Sequence, residues 1–312
     1  MSSDGISLYP PTPAPAPASA MVPSEDAMEE AGVSLWQDAF RRLFKNRLAM
    51  GGFFFLVFLT LVCILTPWIA PYSFDQQNLQ YTLQPPSWTH WMGTDVLGRD
   101  LFTRVLYGGR ISMLVGILAS IVSVIVGVVY GSVSGFIGGR TDNLMMRFVD
   151  ILYALPFIFL VIILMVYFGR NIFLLFIALG LTQWLTMARI VRGQVISLKH
   201  KEFVQAAESM GVPAHSIIFR HLIPNSLGPV IVYLTLTVPS VILDEAFLSF
   251  LGLGVQAPMA SWGTLISNGV EAMEVAPWLL IFPATLLSLS LFSLNFLGDG
   301  LRDALDPKGA RD

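Results

Sequence analysis

Asp, Glu, Lys and Arg are missing from long stretches of this chain, and Leu, Ile, Val, Phe and small residues fill them. The charge-free runs are 48–74, 111–139, 151–169, 171–188, 221–243 and 275–298. A helix that crosses a bilayer needs about 20 mostly apolar residues. Each of the six runs can supply one, those of 18 and 19 residues being short but within range. A seventh run, 246–270, is broken by Gly252, Gly254, Gln256, Pro258, Ser261, Gly263, Ser267 and Asn268. Its apolar part is short, so it reads as a loop or a partial re-entrant element. The pattern predicts an all-α polytopic membrane bundle with six transmembrane helices, spanning 48–300.

Ahead of the first run, SLWQDAFRRLFKNR at 34–47 has a different rhythm. Leu35, Trp36, Ala39, Phe40, Leu43 and Phe44 recur at helical spacing, with Arg41, Arg42, Lys45 and Arg47 on the polar side. Ser34 and Gln37 have capping-box spacing. An apolar stripe with Trp and a basic flank predicts an amphipathic interfacial helix, the alternative being a cytoplasmic extension of the first span. Residues 1–33 are rich in Pro and Ala, and Asp4, Glu25, Asp26, Glu29 and Glu30 stand there without one basic residue. That composition predicts a disordered, solvated tail, and it lacks the positive start and short apolar core of a signal peptide.

The second run carries a packing signature. Ala119, Ser123, Gly127, Gly131, Gly135 and Gly139 recur at every fourth residue and share one helix face. Small side chains there predict a close helix–helix seam, because lipid supplies little drive for helices to associate.

Composition sharpens the class. Hydrophobic residues are 54% of the 312 and charged residues 12%, about half the usual ~25% share. A soluble globule could not cover itself with so few charges. The single Cys63 excludes an internal disulfide. With six spans both termini lie on one side, and so do Arg41, Arg42, Lys45, Arg47, Arg140, Arg147, Arg189, Arg192, Lys199, Lys201, Arg220, Arg302, Lys308 and Arg311. Only Arg99, Arg104, Arg110 and Arg170 face the other side. Because basic residues stay in the cytoplasm, both termini and a short tail at 301–312 are expected there. The net charge of −3 conceals an acidic tail and an oriented membrane body.

Catalytic equipment is missing. No G-x-x-x-x-G-K-[ST], H-E-x-x-H or G-x-S-x-G occurs, so the chain cannot cradle ATP phosphates by itself. His90, His200, His215 and His221 lack metal-ligand spacing to a carboxylate. No metal, cofactor or nucleic acid is expected on this chain, and it is not expected to be an enzyme.

Two connections are long: an outward loop at 71–110 and a cytoplasmic loop at 189–224. Arg99, Asp100, Arg104 and Arg110 crowd the end of the first and read as solvated loop charges. In the second, EFVQAAESMGVPAHSIIFRHLIPNS at 202–226 predicts a short helix through Phe203, Val204, Ala206, Ala207 and Met210. Gly211 would end it, and Pro213 would open a second short helix carrying Ile217, Ile218 and Phe219. An Ala-rich apolar face on a cytoplasmic loop suits a partner's groove; an interfacial hairpin is the alternative. Asp244 and Glu245 follow a charge-free run. Intramembrane carboxylates usually face a cavity or a partner, so both are candidates for a translocation path. A structural ion pair or interfacial solvation is the alternative.

The segment at 202–226 resembles the cytoplasmic signature of importer-type ABC transporter permeases, E-A-A-x3-G-x9-I-x-L-P. Ala206, Ala207, Gly211 and Pro224 match it, while Gln205 replaces Glu, His221 replaces Ile and Ile223 replaces Leu. The ending Arg220-His221-Leu222-Ile223-Pro224-Asn225 resembles the peptide-transporting branch. GTDVLGRD at 93–100, ARIVRGQVISLK at 188–199, EAFLSFLGLG at 245–254 and NFLGDGLRDALDP at 295–307 agree, and SLWQDAFRR resembles the start of C-type subunits of oligopeptide permeases. The resemblance covers roughly 34–308. It implies a permease of the cell (inner) membrane, paired with a second homologous permease and served by an external binding protein. Two ATP-binding subunits, holding ATP and Mg, would seat the coupling loop of Gln205, Ala206, Ala207, Glu208, Gly211, Arg220, His221 and Pro224. The cargo it implies is oligopeptides, with dipeptides, nickel or another small solute as alternatives within the family. A channel or proton-coupled carrier is the alternative outside it, and no mid-span polar relay supports that.

Overall fold

A computed structural model describes residues 35–305 apart from Arg170. The tail 1–33, the Ser34 cap, Arg170, Lys308 and Arg311 lie outside the described residues. The chain enters through α1 (Leu35–Lys45) and turns at Asn46 into α2 (Arg47–Ile64). Asn46 Oδ1 accepts the backbone N–H groups of Leu48 and Ala49 at 3.1 and 3.2 Å, satisfying two donors that a helix start leaves orphaned. Ala39 and Leu43 of α1 pack near Leu301 and Ala304 of the last helix, while Phe40 and Phe44 stay exposed. The amphipathic stripe is therefore divided between the bundle and the surroundings.

The longest element is α3 (Leu101–Ile137), 37 residues and so about 55 Å long. Only its second part coincides with the charge-free run from 111. Asp100 caps it by accepting from Thr103 N and Thr103 Oγ1 at 2.8 and 2.7 Å. Against α3 lies α6 (Ile172–Leu198), which reaches ten residues into the stretch expected to be cytoplasmic loop, so Arg189 and Arg192 stand on a helix.

Gly127, Gly131 and Gly135 line this contact. A Cβ on Gly127 would stand 2.6 Å from Met187 Cβ, one on Gly131 would overlap Ala188 O, and one on Gly135 would lie 2.9 Å from Arg192 O. The α6 backbone thus occupies the space that side chains on α3 would need. The every-fourth-residue pattern ends one step early. Gly139 has nothing within 4 Å of a built Cβ and a φ of +58°, because the chain turns at Gly138.

The third expected span is not one helix. It is α4 (Gly139–Ala154) followed by α5 (Phe157–Phe168), bent by 83° at the break. The residue before a proline avoids the helical region, and Leu155, just before Pro156, is extended at φ −78°, ψ 128°. Twelve residues of α5 cover about 18 Å, too little to cross alone. Among the described residues five helices are long and apolar enough to span, or up to six if the bent pair counts as one.

Further on, α7 (Glu202–Ser209) begins a hairpin and α8 (Leu227–Phe250) returns to the bundle. It runs past Asp244 and Glu245. Gly252, at φ +75°, closes it: its N–H donates to Ser249 O at 3.0 Å, and Leu253 N–H donates to Leu248 O at 2.9 Å, a Schellman ending. The seventh run contains a helix, α9 (Trp262–Glu271), with a capping box between Ser261 and Thr264. Finally α10 (Trp278–Leu305) extends beyond 300 into the expected tail. Val115, Ala119, Leu175, Leu179, Val241 and Leu248 join α3, α6 and α8 in one buried cluster.

Candidate functional site

The hairpin after α6 is built to present one face and bury the other. In α7, Val204 and Ala207 are buried, and with Ile217 and Leu222 they pack on Val191 and Val195 of α6. Residues one turn round are not covered: Phe203, Ala206 and Met210 are exposed, Met210 at 76%. Gly211 ends the helix at φ +76°. Its N–H donates to Glu208 O at 2.9 Å and Val212 N–H donates to Ala207 O at 3.1 Å, so a second Schellman motif fixes the turn. A left-handed residue at this point favours glycine.

Gln205, Glu208, Arg220 and Pro224 are exposed and His221 is half-buried. Between Gly211 and α8 the expected second helix is Ala214–Ile217, followed by a π-turn at Ile218–Leu222. Pro224 has no N–H for the carbonyl of Arg220, and its ring crowds that carbonyl, so the helix widens just ahead of it. Asn225 Nδ2 donates to His221 O at 2.6 Å and satisfies part of what the π-turn leaves open.

From the hairpin, rigid links lead toward the bend. Arg192 of α6 holds Asp142 of α4 by two bonds of 2.6 Å, and Ser134 Oγ donates to the same carboxylate at 2.5 Å. Arg189 Nη2 meets Asp150 Oδ1 at 2.8 Å, and its guanidinium lies 4.3 Å from the centre of the Tyr153 ring. Bidentate Arg–carboxylate pairs fix orientation as well as distance. Arg192 and Asp142 thus tie α6, on which α7 packs, to α4.

A cleft of about 420 Å³ opens where α4 and α5 part, lined among others by Tyr153, Leu155, Phe157, Gln183, Thr186 and Asp244. Gln183 Nε2 donates to Asp244 Oδ2 at 3.0 Å. Glu245, the next residue, is fully buried elsewhere. Ser249 Oγ donates to its Oε1 at 2.6 Å and Ser112 Oγ to its Oε2 at 3.1 Å. Trp262 N–H donates to Ser112 Oγ at 3.2 Å, and Trp262 Nε1 to Val105 O at 3.0 Å. The structure separates the two acids: Asp244 lines the cleft, and Glu245 clasps α9 to α3 and α8. Sequence reasoning missed the cleft itself; its one local signal was Pro156.

The arm ahead of α3 corrects a further expectation. Arg99, Asp100 and Arg104 are buried rather than solvated, and Arg110 is exposed. Asp95, not singled out from the sequence, is the centre. Its Oδ2 accepts from Arg99 Nε and Arg104 Nη1, both at 2.7 Å, and its Oδ1 from Leu97 N and Arg99 N, both at 2.9 Å. The signal available was Gly98 at φ +69° inside GTDVLGRD, which allows the turn that folds Asp95 back on Arg99. Removing one partner from a buried ion cluster leaves the others uncompensated. Asp95→Asn should lower stability by about 3–5 kcal/mol, read as a lower thermal midpoint and faster proteolysis of residues 71–100; an unchanged midpoint would show that the arginines find other compensation.

Among the described residues no group of His, Cys, Asp and Glu is placed to hold a metal ion. What the geometry does offer is a hairpin with an uncovered apolar face, linked through packed helices to a cleft with a carboxylate. The family described as "Binding-protein-dependent transport system inner membrane component" matches residues 127–311. That range contains α6, the hairpin, α8 and α10.

The chain belongs to this family of transport permeases.

The permease also matches the N-terminal transmembrane domain of oligopeptide transport permease C over residues 34–86, the region of α1 and α2. It is 54% identical over 285 residues to an oligopeptide transport system permease protein of Haemophilus influenzae, covering 91% of this chain and 92% of that one. It is 47% identical to the oligopeptide permease protein of Bacillus subtilis, over 94% and 96% of the two chains. A dipeptide transport permease of Bacillus subtilis is 48% identical over 91% of this chain and 89% of its own length.

Proposed function

We propose that the permease is one half of the translocation unit of an ATP-driven importer for oligopeptides, in the inner membrane with both termini cytoplasmic. The observation that carries this reading is the hairpin: α7 buries Val204 and Ala207 on α6 and leaves Phe203, Ala206 and Met210 uncovered. An apolar helix face on a basic cytoplasmic loop, where Lys199, Lys201 and Arg220 lie, fits a groove on an ATP-binding subunit. Two such subunits would hold ATP and Mg, and a second homologous permease would complete the bundle. An external binding protein would deliver the peptide to the outward arm.

ATP binding draws the two ATP-binding subunits together and moves α7. The ion pairs Arg192–Asp142 and Arg189–Asp150 transmit that motion to α4 and change the opening at the bend. Alternating access then follows from a two-state bundle biased by ATP at one end and by loaded binding protein at the other. Asp244 belongs to the path in this reading, and Glu245 holds α9 in place. A dipeptide cargo is the second reading, favoured by the dipeptide permease of Bacillus subtilis.

The test is reconstitution with the co-purifying subunits and uptake of labelled peptides. Uptake should require ATP and loaded binding protein, and competition between dipeptides and longer peptides decides the cargo. Uptake driven by a proton gradient without ATP would overturn the proposal.

A further inference from the structure

Asp244 is a carboxylate with no countercharge among the described residues. It is half-buried on the cleft wall and accepts a hydrogen bond from the neutral amide of Gln183. Among the described residues no basic side chain pairs with it; the ion pairs join Arg99 and Arg104 to Asp95, Arg189 to Asp150, Arg192 to Asp142, and His90 to Asp100. Arg189, at the Tyr153 end of the cleft, is already held by Asp150 and stacked on the ring. An ionised carboxylate can accept about four hydrogen bonds, and within a membrane protein an uncompensated one is costly and faces a cavity, a partner or a substrate path.

The remainder of the cleft limits which cation that is. Thr182, Gln183, Thr186 and Tyr153 supply hydroxyl and amide groups along one side, and Leu155 and Phe157 supply apolar surface. Tyr153 Oη and Thr186 Oγ1 are 3.1 Å apart. This is not an ion cage, because most of the lining is apolar and one carboxylate stands alone in it. It suits an organic cation with an amide backbone and varied side chains.

We infer that Asp244 receives the α-ammonium group of the peptide in transit, an inference that rests on the peptide-import reading above. The α-ammonium is the one positive group that peptides share whatever their sequence. A single carboxylate that binds it holds the cargo by its amino end while the rest of the cleft stays indifferent to side chains. Gln183 keeps the carboxylate aimed into the cleft between transport events.

The test uses the complete transporter with its binding protein in proteoliposomes. Initial uptake is measured for one labelled peptide and for the same peptide acetylated at its amine, with wild type, Asp244→Asn and Asp244→Glu. The variant-to-wild-type ratio for each peptide cancels the preference of the binding protein. Asp244→Asn should reduce uptake of the free-amine peptide about tenfold or more, a charge-assisted hydrogen bond being lost, and change uptake of the acetylated one less than twofold. Asp244→Glu should keep most of the wild-type discrimination. A second measurement does not require the blocked peptide to be carried: a peptide photoreactive at its first residue should label α6 or α8 in wild type and lose that label in Asp244→Asn. Equal losses for both peptides, unchanged uptake, or failure of Asp244→Asn to co-purify with the second permease would overturn the inference, the last by placing the countercharge on that subunit. Absence of ATP-dependent peptide uptake in wild type would instead defeat the import reading.

Discussion

Gly131→Leu should leave almost no folded permease in the membrane. A Cβ at this position already overlaps Ala188 O and stands 3.0 Å from Arg192 N. Both obstacles are backbone atoms of α6, so no rotamer change relieves them and the two helices must separate. Overpacking against mobile side chains costs about 1–3 kcal/mol, and backbone against backbone lies above that range. Separation would also pull Arg192 from Asp142, whose 2.6 Å bonds lie a turn or so further along. Membrane yield and the thermal midpoint in detergent measure the effect. Gly193→Ala is the control, because nothing lies within 4 Å of a Cβ there and it should behave as wild type. Normal yield and normal transport for Gly131→Leu would show that α3 and α6 do not need this approach.

Gly211→Asp should abolish uptake while the permease still assembles. Nothing lies within 4 Å of a Cβ at Gly211, so the substitution meets no clash, and its cost in the fold is the left-handed φ of +76°. That cost is about 1–2 kcal/mol, too little to unfold a bundle of this size. The loss comes instead from a carboxylate set beside Met210 and Ala206, on the face proposed to sit in the ATP-binding subunit. Gly211→Ala carries the same backbone strain without the charge and should keep much of the uptake. Uptake and co-purification of the second permease are measured side by side. Normal ATP-driven uptake in Gly211→Asp would refute the coupling role, and an Ala variant as inactive as Asp would place the effect in the turn's conformation.

These two positions show what was legible along the chain. The seam at Gly127, Gly131 and Gly135 and the turn at Gly211 are local: a four-residue period puts the first three on one helix face, and a lone glycine after an Ala-rich helix marks a left-handed end. The third span was not legible as it stands. Its charge-free run began at 151, inside α4, and hydropathy carries no sign of an 83° bend; Pro156 did. The arm ahead of α3 misled for the opposite reason. Four charges near a loop look solvated, and only folding brings Asp95 onto Arg99 and Arg104 and removes all three from water.

By itself the sequence determined the solvent this protein folds in, most of its long apolar helices, and the hairpin that follows α6. Each of those follows from the composition of a single window or from neighbours a few residues apart. The tertiary structure alone decided the surroundings of Asp244 and Glu245. Adjacent residues on a helix point about 100° apart, so the pair had to diverge, but which one met a cavity depended on what lay opposite. Ser112, Ser249 and the start of α9 enclose Glu245, whereas the parting of α4 from α5 leaves Asp244 open to the cleft. Those neighbours come from distant parts of the chain, and no local pattern places them.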